Sequence, residues 1–278
     1  MPTIRDALNN ARARIAPVSE SAGLDAQVLL GEALGVDRAY LLTHPERELT
    51  PEQAQHFAAY VDRAARGEPI AYILGKRAFY DRDFYVTPDV LIPRPETELL
   101  LEEALAWIKP RGSARAVDVG AGSGALAVTL AVHAPQVDVY AVDVSAAALA
   151  VARRNAEMHG ARVRFVQADL LTPFLGGAAR FDLVMANLPY IPSGDVPGLA
   201  VSRYEPLTAL DGGADGLVLI RRLLDQIPQV CATGALILLE TAADQGESVL
   251  ELANSLSPQS ASVLRDYAGH DRIVRIVI

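Results

Sequence analysis

The chain holds a single cysteine, Cys231, among 278 residues. It therefore closes no disulfide on itself, and that composition fits a reducing compartment. Histidine is as thin: His44, His56, His133, His159 and His270 are scattered without the spacing of metal ligands, so no metal is expected. Basic residues are outnumbered, 25 Lys and Arg against 34 Asp and Glu, for a formal charge of −9. Phosphate binding is driven by clustered cations, so direct binding of extended nucleic acid is not expected, although a local basic patch remains open. No apolar run approaches the roughly 18 to 20 residues that a membrane helix needs. The opening MPTIRDALNNARARIAP alternates polar and apolar residues where a secretory signal would be continuously apolar. A soluble, cytoplasmic protein without a membrane partner is expected.

What is present is a large apolar complement, 51% of the residues, enough for one large domain and a smaller one. Residues 1–70 are Ala-rich, with apolar residues three and four apart in IRDALNNARARI, LDAQVLLGEAL and PEQAQHFAAYVDRAARG, which predicts a small helical bundle. Thr50, Pro51 and Glu52 make a helix start: a hydroxyl cap, proline at the first helical position, an acid in the first turn. Residues 71–95 turn to short alternating runs rich in aromatics, broken at Asp81 to Asp83, and predict a β-hairpin connector. From residue 96 to 278, short apolar strands (RAVDVG, VDVYAVD, VRFVQAD, FDLVMAN, GALILLE) alternate with amphipathic helices. That order gives an α/β domain with a parallel sheet covered on both faces. The tail, with a turn at Gly269 to Asp271, predicts a closing antiparallel hairpin.

VDVGAGSGALA places Gly120, Ala121, Gly122, Ser123 and Gly124 between the first strand of this domain and the next helix. Such a loop lets the backbone pass close to a ligand at a helix N-terminus. Asp143 closes the second strand, where a carboxylate can accept the hydroxyls of a ribose. From Gly122 the same letters also fit G-x-G-x-x-A, the dinucleotide fingerprint. Asp118 separates the two. A carboxylate just before the loop repels a pyrophosphate, whereas S-adenosyl-L-methionine has no phosphate and carries an ammonium and a sulfonium. Asp169 and Leu170 end the third strand, where they can hold an adenine. Taken singly, these acids also read as turn formers or caps; together they lie at successive strand ends of one sheet edge, where ligands of such sheets bind.

The fourth strand, FDLVMAN, ends in Asn187, Leu188, Pro189 and Tyr190, and an amide at the mouth of an apolar strand needs a partner. NLPY resembles the (N/D)-P-P-(Y/F/W) motif of methyltransferases that modify amide or exocyclic amino nitrogens, with Leu188 where proline is usual. In that resemblance the Asn187 oxygen and the Leu188 carbonyl accept the two protons of an NH₂ group, and Tyr190 forms a flat wall against it. NLPY also resembles ribosomal RNA adenine dimethyltransferases. Two longer stretches decide the family: GEPIAYILGKRAFYDRDFYVTPDVLIPRPETELL, from Gly67 to Leu100, and RYEPLTALDGGADGL, from Arg203 to Leu217. Both resemble the protein N5-glutamine methyltransferases, the HemK/PrmC family, across essentially the whole chain.

The resemblance implies a Rossmann-like class I S-adenosylmethionine-dependent methyltransferase sheet with a small all-α N-terminal domain that recognises the substrate, joined by the β-hairpin. It implies methyl transfer from S-adenosyl-L-methionine, leaving S-adenosyl-L-homocysteine, to the glutamine of the Gly-Gly-Gln loop in class 1 peptide chain release factors, by a monomer. Carried over by position, Gly120, Gly122, Gly124, Asp143, Leu170 and Asn187 contact the cofactor, and Asn187 through Tyr190 hold the glutamine. Arg94, Pro95, Glu96 and Thr97 close over the methionine end or simply start a helix. ETAADQG departs from the family's Glu-Ile-Gly, so no role carries over to Glu240. The rival functions are a glutamine methyltransferase for a ribosomal protein, an adenine-N6 nucleic-acid methyltransferase and a non-catalytic NAD-binding module.

Overall fold

The computed structural model describes residues 1–177 and 180–278, and the chain divides into two compact units, Met1–Lys76 and Arg77–Ile278. The described residues of the first unit form α1 (Ile4–Ile15), α2 (Ala22–Leu34), α3 (Arg38–Thr43), α4 (Pro51–Ala64) and α5 (Ile70–Leu74). α4 starts on the Thr50 cap: its hydroxyl accepts the Gln53 N–H at 3.2 Å and the Gln53 carboxamide accepts the Thr50 N–H at 3.1 Å. Ile4, Ile15, Leu29, Leu30, Leu41, Phe57 and Val61 make the core of this unit.

The stretch 71–95, expected as a hairpin connector, is mixed. Its first residues belong to α5, because Ile73 packs into the helical core and that burial outweighs the strand-like pattern of AYIL. The hairpin itself is short, β1 (Lys76–Phe79) and β2 (Arg82–Tyr85).

In the second unit the order continues α6 (Thr97–Ile108), β3 (Arg115–Val119), α7 (Ala125–His133), β4 (Asp138–Asp143), α8 (Ala146–His159), β5 (Val163–Gln167) and β6 (Phe181–Ala186). It closes with α9 (Val218–Val230), β7 (Cys231–Glu240), α10 (Gly246–Asn254), β8 (Ser260–Arg265) and β9 (Asp271–Val277). The sheet runs β5-β4-β3-β6-β7-β9-β8. Its first five strands are parallel, and β9 pairs antiparallel with both β7 and β8, as the alternating pattern and the tail predict. One face is covered by a cluster with Leu100, Leu101, Leu130, Leu183 and Leu238, the other by one with Val117, Phe181, Ile220, Leu223 and Leu239. Burial on both faces is why the inner strands read as near-continuous apolar runs. α9 was not among the expected elements, yet its Ile220, Leu223, Leu224, Ile227 and Val230 recur at helical spacing and are buried.

The strand order reverses at β3, which leads outward to β4 and β5 on one side and has the parallel β6 on the other. A crevice opens at such a switch point, at the carboxyl ends of the strands.

One buried polar side chain ties the hairpin to this region. Asn155 of α8 is fully buried; its oxygen accepts the Tyr85 N–H at 2.8 Å, and its nitrogen donates to the Tyr85 and Ser123 carbonyls at 2.9 and 2.8 Å. Leaving three backbone groups without partners is costly, so Asn155→Ala is expected to destabilise the second unit by about 2 to 4 kcal/mol. Urea unfolding followed by fluorescence of Trp107, the single tryptophan, measures it; a loss below about 0.5 kcal/mol would contradict the assigned role.

Candidate active site

The crevice is a cleft of about 1050 Å³ including its open mouth, walled by residues of the second unit between Phe79 and Leu219. Its size is that of a site for a small cofactor. The floor is the loop after β3. Gly120 has φ +78°, a left-handed conformation that favours glycine, and a Cβ there would stand 3.0 Å from Leu188 Cδ2, so that side chain would have to give way. The Gly120 and Ala121 N–H groups donate to the Val142 carbonyl at 2.8 and 3.0 Å. At the end of β4 the Asp143 carboxylate accepts the Gly122 N–H at 2.9 Å and the Ser145 N–H at 2.8 Å. Each oxygen keeps a further lone-pair site, so Asp143 shapes the loop and still faces the cleft.

Asp118, Gly120, Ala121, Gly122, Ser123, Asp143, Asp169, Leu170, Asn187, Leu188 and Pro189 all line the cleft. Two residues of the predicted set do not. Gly124 stands behind the wall at the start of α7, where a Cβ would meet the Cβ of Ala152 at 3.0 Å. Tyr190 also lies outside it; burial, and then the charge of Glu240, push its hydroxyl up to about 12. Asp169 reaches the wall, but its carboxylate pairs with Arg222 at 2.6 Å. Leu170 is held at φ +50°, a left-handed conformation costly for a leucine and found mostly where a site demands it.

Asp118 is a buried acid, 1% exposed, at the end of β3. Burial pushes its carboxyl up to about 7, with the Ala127 N–H, a 3.1 Å donor, acting downward and the charge of Asp143 upward.

The Asn187 carboxamide is fixed by its nitrogen, which donates to the Thr97 hydroxyl at 3.0 Å. Among the described residues nothing donates to its oxygen or to the Leu188 carbonyl. The Leu188 side chain, 4% exposed, folds down over Gly120 into the core. A packed leucine thus does at this position what a proline ring would do by stiffness.

Residues outside the predicted site hold this loop. Gly216, at φ +76°, lies so close to the Tyr190 carbonyl that any Cβ would overlap it. Gln245 donates to that same carbonyl at 2.9 Å and accepts the Ala242 N–H at 3.2 Å. Glu205, 3% exposed, takes the Arg94 guanidinium at 2.6 Å and joins the segment before α6 to the one after Arg203. The sequence carries Arg94, Glu205 and Gly216 inside its two long family-like stretches; Gln245 had no such signal.

The fold is that of class I S-adenosylmethionine-dependent methyltransferases. It is similar to a 16S rRNA methyltransferase (RsmC) of T. thermophilus solved with AdoMet and guanosine, at TM-score 0.53 and 20% identity, covering 73% of this chain and 50% of that one. The hMettl16 catalytic domain, solved with an RNA hairpin, is similar at TM-score 0.53 and 13% identity, covering 70% and 74%. Residues 6–75 match the PrmC N-terminal domain and residues 95–202 the methyltransferase small domain.

The chain belongs to the release factor glutamine methyltransferase family. It is 44% identical to the release factor glutamine methyltransferase of Moorella thermoacetica over 275 residues, 97% of this chain and 96% of that one. To the enzyme of that name from Bordetella pertussis it is 43% identical over 255 residues, 90% and 93% of the two chains.

Asp118 and Glu240 both sit at about 7 in the folded chain, above the ordinary carboxylate range near 4. The stability each contributes is whole below that range and is lost as pH rises through about 7. Asp118→Asn is therefore expected to unfold at higher urea than the wild type at pH 8 and at nearly the same urea at pH 4.5. A variant less stable than the wild type at pH 8 would contradict the buried-acid assignment.

Proposed function

We propose that this protein transfers a methyl group from S-adenosyl-L-methionine to the side-chain amide nitrogen of a glutamine, the one in the Gly-Gly-Gln loop of class 1 peptide chain release factors. The observation that carries this is the pair of open oxygens, Asn187 Oδ1 and the Leu188 carbonyl, on the wall of an acid-lined cleft. Identity along nearly the whole chain to release factor glutamine methyltransferases supports the choice of substrate.

The wall suits the cofactor. Its acids are Asp89, Asp118, Asp143 and Asp169, the last paired with Arg222, against one guanidinium, Arg94, which Glu205 already neutralises. A pyrophosphate would meet repulsion there, and a ligand with an ammonium and a sulfonium meets attraction. Asp118, buried with no cation against it in the chain's own hydrogen bonds and ion pairs among the described residues, suits the positive end. Asp143 has lone pairs left for a ribose, and Leu170 offers apolar contact for an adenine. When bound, S-adenosyl-L-methionine supplies an electrophilic methyl group on a positively charged sulfur.

The chain's own residues hold the nucleophile. An amide nitrogen is weakly nucleophilic because its lone pair is delocalised into the carbonyl. Asn187 Oδ1 and the Leu188 carbonyl accept its two N–H bonds, stop its rotation and stabilise the positive charge that grows on it. Pro189 leaves no N–H in the clamp to compete. Among the described residues of the wall there is no histidine or lysine, so positioning carries the rate and the surplus proton leaves to water at the mouth. In this reading residues 96–278 bind the cofactor, and the helical residues 1–70 recognise the release factor.

Asn187→Ala is expected to lower turnover on an unmethylated release factor by about 100- to 1000-fold, with the protein still folded. Mass spectrometry of the release factor, counting one added methyl on the loop glutamine, reads it out. Wild-type methylation by Asn187→Ala, or transfer to nucleic acid in place of the release factor, would contradict the assignment.

A further inference from the structure

We propose that Glu240, at the C-terminal end of β7, is a positioning residue that, with the Thr97 hydroxyl, holds the Asn187 carboxamide with its nitrogen turned inward and its oxygen left for the substrate. This rests on the clamp described above. It assigns a role to a side chain that does not line the cleft and touches no reacting atom.

β6 and β7 run parallel, with Ala186 paired to Leu239. Asn187 and Glu240 are therefore the next residues on neighbouring strands. Glu240 is 1% exposed, and its Oε2 has no hydrogen-bond partner among the described residues. Thr97, 5% exposed, opens α6 beside them and accepts the Asn187 N–H. A hydroxyl that accepts from an amide still has its own proton to give, and the nearness of Thr97 and Asn187 favours the charged form of Glu240.

The two ends of a carboxamide are nearly the same size, so packing alone does not choose between its two orientations. Hydrogen-bond polarity does. An ionised carboxylate is acceptor-only, and turning the Asn187 oxygen inward would set two acceptors against each other. The charge on Glu240 thus selects the orientation that the clamp needs. Removing that polarity leaves an amide free to sample both orientations, of which one presents N–H groups to the N–H groups of the substrate.

The charged and titratable groups facing Glu240 are Arg272 from β9, Glu96 from the residue before α6, and Tyr190 from the loop after β6. Arg272 is itself paired with Asp266 at 3.1 Å. Burial, the largest influence, pushes Glu240 up to about 7, against the nearness of Thr97 and the Arg272 charge. Below that pH the protonated acid becomes a donor as well as an acceptor, and its preference for one amide orientation weakens.

The test is steady-state kinetics of the full chain on unmethylated release factor across pH 5.5 to about 9, the range that brackets a group near 7. Glu240→Gln keeps the size and removes the charge. Its kcat is expected to fall about 10- to 100-fold, as for other supporting partners of a site, with the KM for S-adenosyl-L-methionine within about threefold of wild type. The wild type should lose kcat on the acid side of pH 7, and in Glu240→Gln that loss should be shallower, leaving only what Asp118, also at about 7, imposes. A Glu240→Gln enzyme with wild-type kcat and a wild-type pH profile overturns the proposal. If that variant does not fold, Thr97 decides: Thr97→Ser, which keeps the hydroxyl, should retain kcat and Thr97→Val should not, and equal values overturn it. Asn187→Ala run alongside separates the two levels. Wild-type turnover there removes the clamp and this proposal together, whereas an inactive Asn187→Ala beside an unaffected Glu240→Gln removes only the positioning role.

Discussion

A single hydrogen bond, from the Asn187 carboxamide nitrogen to the Thr97 hydroxyl at 3.0 Å, determines what the mouth of β6 can offer. It occupies the donating edge of the amide and leaves the accepting edge. Next to that edge the Leu188 carbonyl is also open among the described residues. Two acceptors side by side recognise an NH₂ group by its polarity, and they discriminate against a carbonyl or carboxylate, which would leave all the oxygens facing one another. The chemistry proposed for the site follows from that polarity.

The surrounding structure keeps those two oxygens in place. The sheet sets Asn187 beside Glu240 by strand register. Gly216 and Gln245 press on and hydrogen-bond the Tyr190 carbonyl from below. Leu188 is pinned over Gly120 by burial in the core, which ties the shape of the clamp to the shape of the glycine loop. Glu205 draws Arg94 across, so the one cation on the wall arrives already neutralised. The cleft as a whole stays acidic, and the clamp within it stays uncharged. That division suits a cationic donor and a neutral acceptor.

Much of this was legible in the residues. Strand and helix order and the closing hairpin follow from apolar periodicity, which acts locally along the chain, and the position of Asn187 beside the glycine loop follows from the reversal of strand order that such alternation produces. Asp118, Asp143 and Leu170 line one cleft because strand ends on one sheet edge converge. What escaped depends on contacts between segments far apart. Asn155 looks like an ordinary helix residue until it meets Tyr85 and Ser123, and α5 takes helical form because of the core it joins. Tyr190 is absent from the cleft lining, and nothing in NLPY says which way a ring turns. Glu240 was visible only as a departure from a motif, and its meaning comes from Thr97, in a segment more than a hundred residues earlier.

A crystal structure of the protein with S-adenosyl-L-homocysteine and a peptide carrying the Gly-Gly-Gln loop tests the central claim most directly. The glutamine NH₂ should stand within about 3 Å of both Asn187 Oδ1 and the Leu188 carbonyl, with the Asn187 nitrogen still on Thr97. A glutamine bound with its oxygen toward Asn187, or an Asn187 side chain rotated to turn its nitrogen into the cleft, would contradict it.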